Sequence, residues 1–354
     1  MSQKFRSAII GLGPCPEGKG GAHSISYSHA EAHQKTAGIE LVAVCSRQQK
    51  NVDDFINEFP GCRGYVDYRA LLTAEKPDWV VVSAYASSRE EMVMCAIENA
   101  AKVVWIEKPL ALSLGAARRM MSAAQAAGVR LFVSYQRRYG LPFEWFRAAA
   151  GKIGEVQSVD IVQPISNMLD FGPHQVDAAL SVFGDEVEIA SVFGATDWTK
   201  PLLWHGTQHE QFLLGCVRLS NGCRITIEAG PHEPNRLPIL RVNGSAGFAE
   251  LQLSPRAGEG SVFRLCAEGA NTVSSPSTSE HYHHGDDPNL YMNRAVADVY
   301  DAVHSGRSTH LDVEKAYLGL KMLLGIYASA QARRLLGPEA LEADLKMPEP
   351  SRCD

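Results

Sequence analysis

Two short motifs carry residue types that can move a proton and stabilise a charged oxygen. Glu107-Lys108-Pro109 directly follows the apolar run Val103–Ile106, and Asp170 and His174 lie further along the chain. A lysine at the carboxyl end of a parallel strand lies where open α/β sheets bind ligands. An Asp and a His at i and i+4 share one face of a helix, if that segment is helical. Because histidine is a base near neutral pH and a nearby ammonium group disfavours its protonated form, the set predicts an alcohol dehydrogenase that needs no metal.

An alternation of strands and helices must position the lysine. Residues 1–135 alternate short β-branched runs with helical patterns, which is typical of βαβ units and a parallel sheet. The predicted strands are residues 7–10, 41–45, 79–83, 103–106 and 130–134, and the predicted helices are residues 28–36, 51–58, 68–75, 89–100 and 114–127. We therefore predict an α/β fold whose first domain, residues 1–135, is a dinucleotide-binding Rossmann domain.

The pattern changes after Tyr135, and residues 136–354 are predicted to form a second, α+β domain. Its runs alternate polar and apolar residues, and Asn221-Gly222 between two of them is the strongest short hairpin signal. Asn243-Gly244 predicts a second turn, whereas the Gly-, Ser- and Thr-rich residues 258–280 predict a loop. The predicted helices are residues 143–150, 175–183, 289–304 and 313–336. A mostly antiparallel sheet is therefore expected in this domain.

The segment after the first strand can be interpreted in three ways. Gly11 and Gly13 stand where a dinucleotide-binding fold has its tight turn, although the third glycine of the usual pattern is missing. Gly13 also begins a stretch that resembles a P-loop, with Gly18-Lys19 in place. The next residue is Gly20, so the hydroxyl that would hold Mg²⁺ is absent, and no later strand ends in a suitable aspartate. A glycine-rich surface loop without a ligand is the third alternative.

The end of the second predicted strand bears on the choice of cofactor. An acidic residue at this point would bind the ribose 2′-hydroxyl of NAD. The strand ends instead in Cys45-Ser46-Arg47, which has no carboxylate. Arg47 could pair with a 2′-phosphate, which favours NADP over NAD. The alternative for Arg47 is an ordinary solvated surface residue.

The composition excludes several classes of protein. The chain has 354 residues, 45% hydrophobic and 21% charged, which fits two soluble domains, each with a core of its own. Its formal net charge of -6 argues against a nucleic-acid or membrane partner. The N-terminus leaves no room for a secretory signal, and the eight cysteines show no C-x-x-C pair. A cytoplasmic protein with reduced thiols and no metal site is therefore expected.

Taken in order along the chain, the motifs resemble the Gfo/Idh/MocA family (glucose–fructose oxidoreductase and inositol dehydrogenase). The motifs that carry the resemblance are Gly11-x-Gly13, His29-Ala30, Glu107-Lys108-Pro109-Leu110, Gln136-Arg137-Arg138-Tyr139, Asp170-x-Gly172-x-His174-x-x-Asp177 and Val242-x-Gly244-x-x-Gly247. The resemblance implies a Rossmann domain, a C-terminal domain with a large open sheet, and a homodimer or homotetramer formed through that sheet. It also implies hydride transfer between a nicotinamide cofactor and a secondary hydroxyl of a sugar, glycoside or cyclitol.

The resemblance, together with the local patterns, gives a set of predicted site residues. Lys108, His174 and Asp170 match the catalytic residues. The predicted cofactor-binding residues are Gly11, Gly13, Ser46, Arg47, Tyr85, Glu107 and Lys108, and the predicted substrate-binding residues are Lys108, Asp170, His174, Tyr135, Arg137, Tyr282 and His283. The chain departs from the family pattern at Ser26, which stands for the third glycine after a longer loop, and at Tyr85-Ala86, which stands for a Thr-Pro pair.

Two other functions remain open at this stage. A non-catalytic regulator or sensor of a dinucleotide or sugar could retain the same fold, although the presence of Lys108 and His174 counts against it. A reductase or dehydratase with a different substrate could also use the fold. For the loop that holds Tyr282 and His283, a zinc site and a plain solvated loop are the alternatives to a contribution to the sugar site.

Overall fold

The computed structural model describes residues 4–14, 25–164, 168–170, 172–184, 186–204, 207–230, 238–252, 261–267, 279–281 and 288–348. The chain divides into two compact units, one of Met1–Tyr139 with Pro288–Ala316, the other of Gly140–Asp287 with Tyr317–Asp354. Residues 288–316 thus pack with the first unit, although they follow the second-domain sheet in sequence. The functional domain boundary at residue 135 stays a prediction.

The first unit is built on a parallel sheet flanked by helices. Its elements are β1 (Phe5–Ile10), α1 (Ile25–Lys35), β2 (Ile39–Cys45), α2 (Gln49–Glu58), β3 (Arg63–Tyr65), α3 (Tyr68–Glu75), β4 (Trp79–Val82), α4 (Ala86–Glu98), β5 (Val103–Ile106), α5 (Leu114–Ala127) and β6 (Arg130–Val133). The strands lie in the order β3-β2-β1-β4-β5-β6, and every described pair is parallel. The predicted Rossmann fold is confirmed. The sequence analysis missed β3, whose three residues include a central glycine.

The central strands β4 and β5 are apolar along their whole length because helices cover both faces of the sheet. Every residue of β4 and of β5 is fully buried, as expected for a parallel sheet between two helical layers. Trp79 and Trp105 stack on neighbouring strands with ring centroids 6.1 Å apart. Ser113 caps α5 by accepting a hydrogen bond from the Ala116 N–H, and Gly128 ends the helix in the left-handed conformation. Local sequence and tertiary packing therefore agree in β4, β5 and α5.

The second unit contains a mixed, mostly antiparallel sheet. The elements in this stretch of the chain are α6 (Leu141–Ala149), β7 (Val156–Gln163), α7 (Pro173–Leu180), β8 (Ile189–Asp197), β9 (Leu202–Trp204), β10 (Thr207–His209), β11 (Phe212–Leu219), β12 (Arg224–Ala229), β13 (Ile239–Gly244), β14 (Gly247–Gln252), β15 (Val262–Ala267) and β16 (Ser279–His281). The large sheet has the described order β16-β15-β14-β13-β7-β12-β11-β8. Its one described parallel pair is β7 with β12, and β9 and β10 form a small hairpin. The predicted open, mostly antiparallel sheet is confirmed.

Three helices follow the large sheet in the chain: α8 (Pro288–Ser305), α9 (Val313–Ala332) and α10 (Pro338–Leu341). Helix α8 belongs to the first unit, while α9 from Tyr317 onwards and α10 belong to the second. No helix among the described residues is long and apolar enough to cross a membrane.

The structure corrects the sequence analysis at two places in the second unit. Residues 262–267 form β15 and pair with β14, inside the segment that was predicted to be a loop. The run is apolar except for Arg264, but the glycines and serines around it favoured a loop. The helix predicted to begin at Gln175 begins at Pro173, because proline is favoured in the first turn, where its missing N–H has no intrahelical partner. His174 therefore lies in the first turn of α7.

Candidate active site

The turn after β1 is shaped by Gly11. This residue has φ of +101°, and a Cβ added to it would lie 2.5 Å from the Ala84 nitrogen, so only glycine fits. The N–H groups of Gly11 and Leu12 donate to the Cys45 carbonyl oxygen over 2.9 Å and 3.2 Å. The turn lies between β1 and β4, where the strand order reverses and doubly wound sheets bind dinucleotides. Gly13 follows, and residues 15–24, which include Gly18 and Lys19, lie outside the described residues.

The end of β2 supports this turn from the neighbouring strand. The Ser46 hydroxyl donates to the Leu12 carbonyl oxygen over 3.2 Å, and the Asn51 side-chain amide donates to the same oxygen over 3.2 Å. Arg47 is exposed, and its guanidinium forms no hydrogen bond or ion pair with another described residue. Ser46 therefore holds the turn in shape, and the Arg47 cation is available to a ligand. Asn51 was missed by the sequence analysis because only its spatial neighbours give it a role.

Arg89, on α4, holds the loops that follow β4 and β5. It is 3% exposed, and its guanidinium donates to the Ala84 carbonyl oxygen over 2.8 Å and to the Pro109 carbonyl oxygen. Tyr85, at the start of α4, is 55% exposed and remains a predicted cofactor contact. Arg89 therefore fixes the backbone directly before Tyr85 and the backbone directly after Lys108. An arginine shortly after a strand end gave no signal of this role in the sequence.

Glu107 and Lys108 follow β5 but have different surroundings. Lys108 is half-buried and precedes a cis peptide bond to Pro109. Glu107 is buried, and its Oε1 lies 2.9 Å from His29 Nε2 on α1. Burial acts to raise the pKa of Glu107, but the hydrogen bond and charge of His29, with smaller effects from Ser134 and Lys108, outweigh it and lower the pKa overall. Glu107 thus anchors the strand end to α1, and its predicted cofactor contact stays a prediction.

His29 belongs to a buried layer between α1 and the sheet. Its ring meets Trp105 edge-on at a centroid distance of 5.4 Å. His33, one turn further along α1, lies with its Nδ1 2.9 Å from the Ser7 hydroxyl. Burial and then the charge of His29 lower the pKa of His33 to about 3, so His33 is a neutral core residue at neutral pH. His29 therefore supports the end of β5 through Glu107, and His33 packs beside it against β1 and β4.

Asp170 and His174 are arranged by a turn and a helix start in the second unit. The Gly172 N–H donates to the Met168 carbonyl oxygen over 3.1 Å, and α7 begins at Pro173. Asp170 is half-buried, whereas His174 is 7% exposed. The condition for a shared helical face is not met, because Asp170 precedes α7. Asp170 lies instead in the turn that is closed by the hydrogen bond between Gly172 and Met168, and His174 follows in the first turn of α7.

Comparison with known proteins agrees with the Rossmann fold described above. A family model, GFO_IDH_MocA, described as an oxidoreductase family with an NAD-binding Rossmann fold, matches residues 5–135. The chain is 28% identical to D-apiose dehydrogenase from Paraburkholderia graminis over 280 residues, which cover 72% of this chain and 69% of that protein. It is 33% identical to inositol 2-dehydrogenase from Pseudomonas syringae over 140 residues, which cover 38% of this chain and 41% of that protein. Residues 5–135 of the chain are therefore similar to the Rossmann domain of the Gfo/Idh/MocA oxidoreductases.

A solved structure extends the likeness in fold to both units. The oxidoreductase from Agrobacterium radiobacter, solved in complex with NAD+, L-tartaric acid and magnesium, has a TM-score of 0.75 at 19% identity. The match covers 96% of this chain and 100% of that one. At this identity the comparison establishes the fold.

The remaining predicted site residues have separate locations. Tyr135 is buried directly after β6, and Arg137 is exposed in the short 3₁₀ helix Gln136–Tyr139. Tyr282 and His283 lie outside the described residues. Lys108 belongs to the first unit, whereas Asp170 and His174 belong to the second. The structure thus brings together the predicted cofactor residues within one unit, and Asp170 with His174 within the other.

Proposed function

We propose that the protein is an NAD(P)-dependent oxidoreductase that interconverts a secondary hydroxyl group and a ketone on a sugar, glycoside or cyclitol. The observation that carries the proposal is Lys108 at the carboxyl end of β5, in the Rossmann sheet that also contains the Gly11 turn. In such sheets the ligand lies beyond the carboxyl ends of the strands. Relatives named as dehydrogenases of apiose and inositol support the substrate class.

The first unit fits a nicotinamide dinucleotide at the carboxyl edge of its sheet. Gly11 and Gly13 would lie along the pyrophosphate, Arg47 and Ser46 at the adenosine ribose, and Tyr85 and Lys108 near the nicotinamide. The closeness of Gly11 to the Ala84 backbone supports this fit, because it makes the tight first turn that such a site needs. The bound nicotinamide would supply or accept the hydride.

Three side chains of this protein would handle the proton and the substrate. His174 takes the proton of the reacting hydroxyl in the oxidative direction and returns it in the reductive direction. Lys108 donates a hydrogen bond to the reacting oxygen and stabilises the negative charge that develops on it. Asp170 accepts a hydrogen bond from a neighbouring hydroxyl, which fixes the carbon that reacts.

Nucleotide binding followed by a substrate panel tests this function. NADPH and NADH are titrated into the purified protein and followed by nucleotide fluorescence. Sugars, glycosides and cyclitols are then screened for absorbance change with the preferred nucleotide. We expect saturable binding and turnover of at least one polyol. Binding without turnover of any compound would favour the sensor alternative, and absence of binding would reject the proposal.

Arg47 is expected to select NADP over NAD. Its exposed guanidinium has no partner among the described residues, so it can form a charge-assisted pair with a 2′-phosphate. Arg47→Ala should weaken NADPH binding about tenfold and leave NADH binding within about twofold, since one charged hydrogen bond contributes on that scale. The measurement is the ratio of the two dissociation constants. The control is Arg119→Ala, which removes an exposed arginine that pairs with Glu90 on the protein surface; equal weakening of both nucleotides by Arg47→Ala would contradict this role.

Two exposed apolar side chains on the large sheet support the predicted assembly through that sheet. Phe193 on β8 and Leu214 on β11 are 44% and 42% exposed, and their strands are neighbours in the sheet. Exposed apolar side chains on one sheet face are typical of a surface that another copy covers. We propose a homodimer or homotetramer that buries this face. Light scattering of the purified chain checks it, and a monomer at micromolar concentration would contradict it.

A further inference from the structure

A buried carboxylate in the second unit lies beside the turn that carries Asp170. Glu210 follows β10 and has no exposed surface. Its Oε1 accepts a hydrogen bond from the Met168 N–H over 2.7 Å, and its Oε2 accepts one from the Tyr327 hydroxyl over 2.9 Å. A carboxylate is costly to bury unless hydrogen bonds compensate its lost hydration. Both oxygens of Glu210 are therefore engaged, one by the turn and one by α9.

Tyr327 engages the next residue of the same turn. The Leu169 main chain hydrogen-bonds the Tyr327 hydroxyl, and the Tyr327 side chain is fully buried. Burial, followed by the charge of Glu210 and the hydrogen bond to it, raises the pKa of Tyr327 well above its ordinary value. The hydroxyl therefore stays protonated and donates to Glu210 while it accepts from Leu169. Two consecutive N–H groups of one turn are thus held by two buried side chains from distant parts of the chain.

Because Met168 belongs to the same turn as Asp170, the hydrogen bond from Met168 to Glu210 also restrains the proposed catalytic residues. Met168 is bound through its N–H to Glu210 and through its carbonyl oxygen to the Gly172 N–H. A Cβ at Gly172 would lie 2.4 Å from that carbonyl oxygen, so the backbone is closely packed here. Asp170 lies between the two held points, and His174 follows in the first turn of α7. A shift of Met168 would therefore move both residues.

We propose that Glu210 and Tyr327 are positioning residues, which act through the Met168 and Leu169 backbone to hold Asp170 and His174 in reactive geometry. This inference rests on the proposed function for the chemistry of Asp170 and His174. Neither residue falls on a motif that marked the site in sequence. Hydrogen bonds to a buried charge are stronger than neutral ones, which makes this pair suited to fixing a backbone position. Small displacements of reacting groups reduce turnover steeply.

Tyr327→Phe is the decisive variant, because it removes one hydroxyl and keeps the ring that fills the core. We expect kcat for the sugar or cyclitol substrate to fall about tenfold or more, while the Kd for nucleotide, which binds the first unit, changes less than about twofold. Hydrogen exchange followed by mass spectrometry should show faster exchange in the peptide that contains Met168 and Leu169. Glu210→Gln keeps an acceptor for the Met168 N–H and should retain more activity than Tyr327→Phe.

Ser329→Ala is the matched control on the same helix. The Ser329 hydroxyl is buried, accepts from the Gly194 N–H over 3.0 Å and donates to the Arg334 carbonyl oxygen. Its loss removes two hydrogen bonds of α9 without touching the 168–170 turn. We expect a lower unfolding temperature, with kcat within about twofold of the parent and unchanged exchange at Met168 and Leu169. A purely structural role for Tyr327 would give this same result for Tyr327→Phe and would overturn the inference.

A double-variant cycle tests the route through the turn. If Tyr327 acts by placing Asp170, the combined effect of Tyr327→Phe and Asp170→Asn on kcat should be clearly smaller than the product of the two single effects. Fully multiplicative effects would overturn the inference. The proposed function has its own test: if the parent protein binds neither nucleotide and turns over no sugar, glycoside or cyclitol, that function fails. If His174→Asn is inactive but Tyr327→Phe is fully active with unchanged exchange, only the positioning role fails.

Discussion

Lys108→Ala is expected to lower kcat for the sugar or cyclitol substrate about 100- to 1000-fold, which is the usual cost of removing one donor to a developing oxyanion. The physical reason is that the Lys108 ammonium would donate to the reacting oxygen and stabilise charge that exists only as the reaction proceeds. The variant should bind nucleotide with a dissociation constant within about tenfold of the parent, because the Gly11 turn and Arg47 are untouched. Steady-state kinetics and nucleotide titration on the same preparation measure the two effects.

Lys102 provides the matched control for Lys108. It immediately precedes β5, at the other end of that strand, is exposed, and pairs with Asp78 at 2.8 Å. Lys102→Ala removes the same charge from the same strand and should leave kcat within about twofold, since exposed ion pairs contribute little. Lys108→Arg should remain impaired because the wider guanidinium cannot replace a compact ammonium. Turnover of Lys108→Ala at the parental rate would remove Lys108 from the proposed machinery.

Much of the first unit could be predicted from sequence because local and tertiary signals coincide there. The run Val80-Val81-Val82 predicts a strand, and its complete burial between helices gives the same answer. Gly11 marks a turn whose conformation requires glycine. The second unit was less predictable, because β7 and β12 pair in parallel across a long stretch of chain and no local pattern specifies that partner. β15 was missed because the Gly-, Ser- and Thr-rich residues on both sides of it predicted a loop.

The candidate site shows the same contrast. Its motif residues could be predicted from the sequence, and its supporting residues could not. Lys108 and His174 stand in short motifs that sequence can find. Arg89, Glu210 and Tyr327 act through backbone groups far away in sequence, so their roles depend on the folded chain. A buried charge or hydroxyl is retained only where partners compensate its desolvation. The supporting residues are therefore recognised in the folded chain as buried polar groups whose partners belong to the backbone beside a motif.

His174→Asn is expected to lower kcat about 100- to 10 000-fold, the range that general acid–base catalysis contributes. Asparagine keeps a polar side chain of similar size in the first turn of α7 but cannot take up a proton. The parent should oxidise its substrate faster as the pH rises, because the base must be neutral to accept the hydroxyl proton. In the reductive direction the rate should fall as the pH rises, because the same group must then be protonated. The variant should lose this dependence in both directions.

The pH profile distinguishes a catalytic histidine from one that only fills space at the start of α7. Loss of packing would lower the unfolding temperature and reduce the rate by one factor at every pH, so the shape of the profile would survive. Loss of the base would instead abolish the pH-dependent part of the rate profile. His304→Gln is the control, since His304 lies exposed near the end of α8, where its Nδ1 is 2.8 Å from the Tyr300 carbonyl oxygen and its ring packs against Phe5 and Tyr300. A His174→Asn profile that keeps the limb of the parent would assign the proton transfer to another group, and Asp170 would be the next residue to test, because it lies in the turn directly before α7.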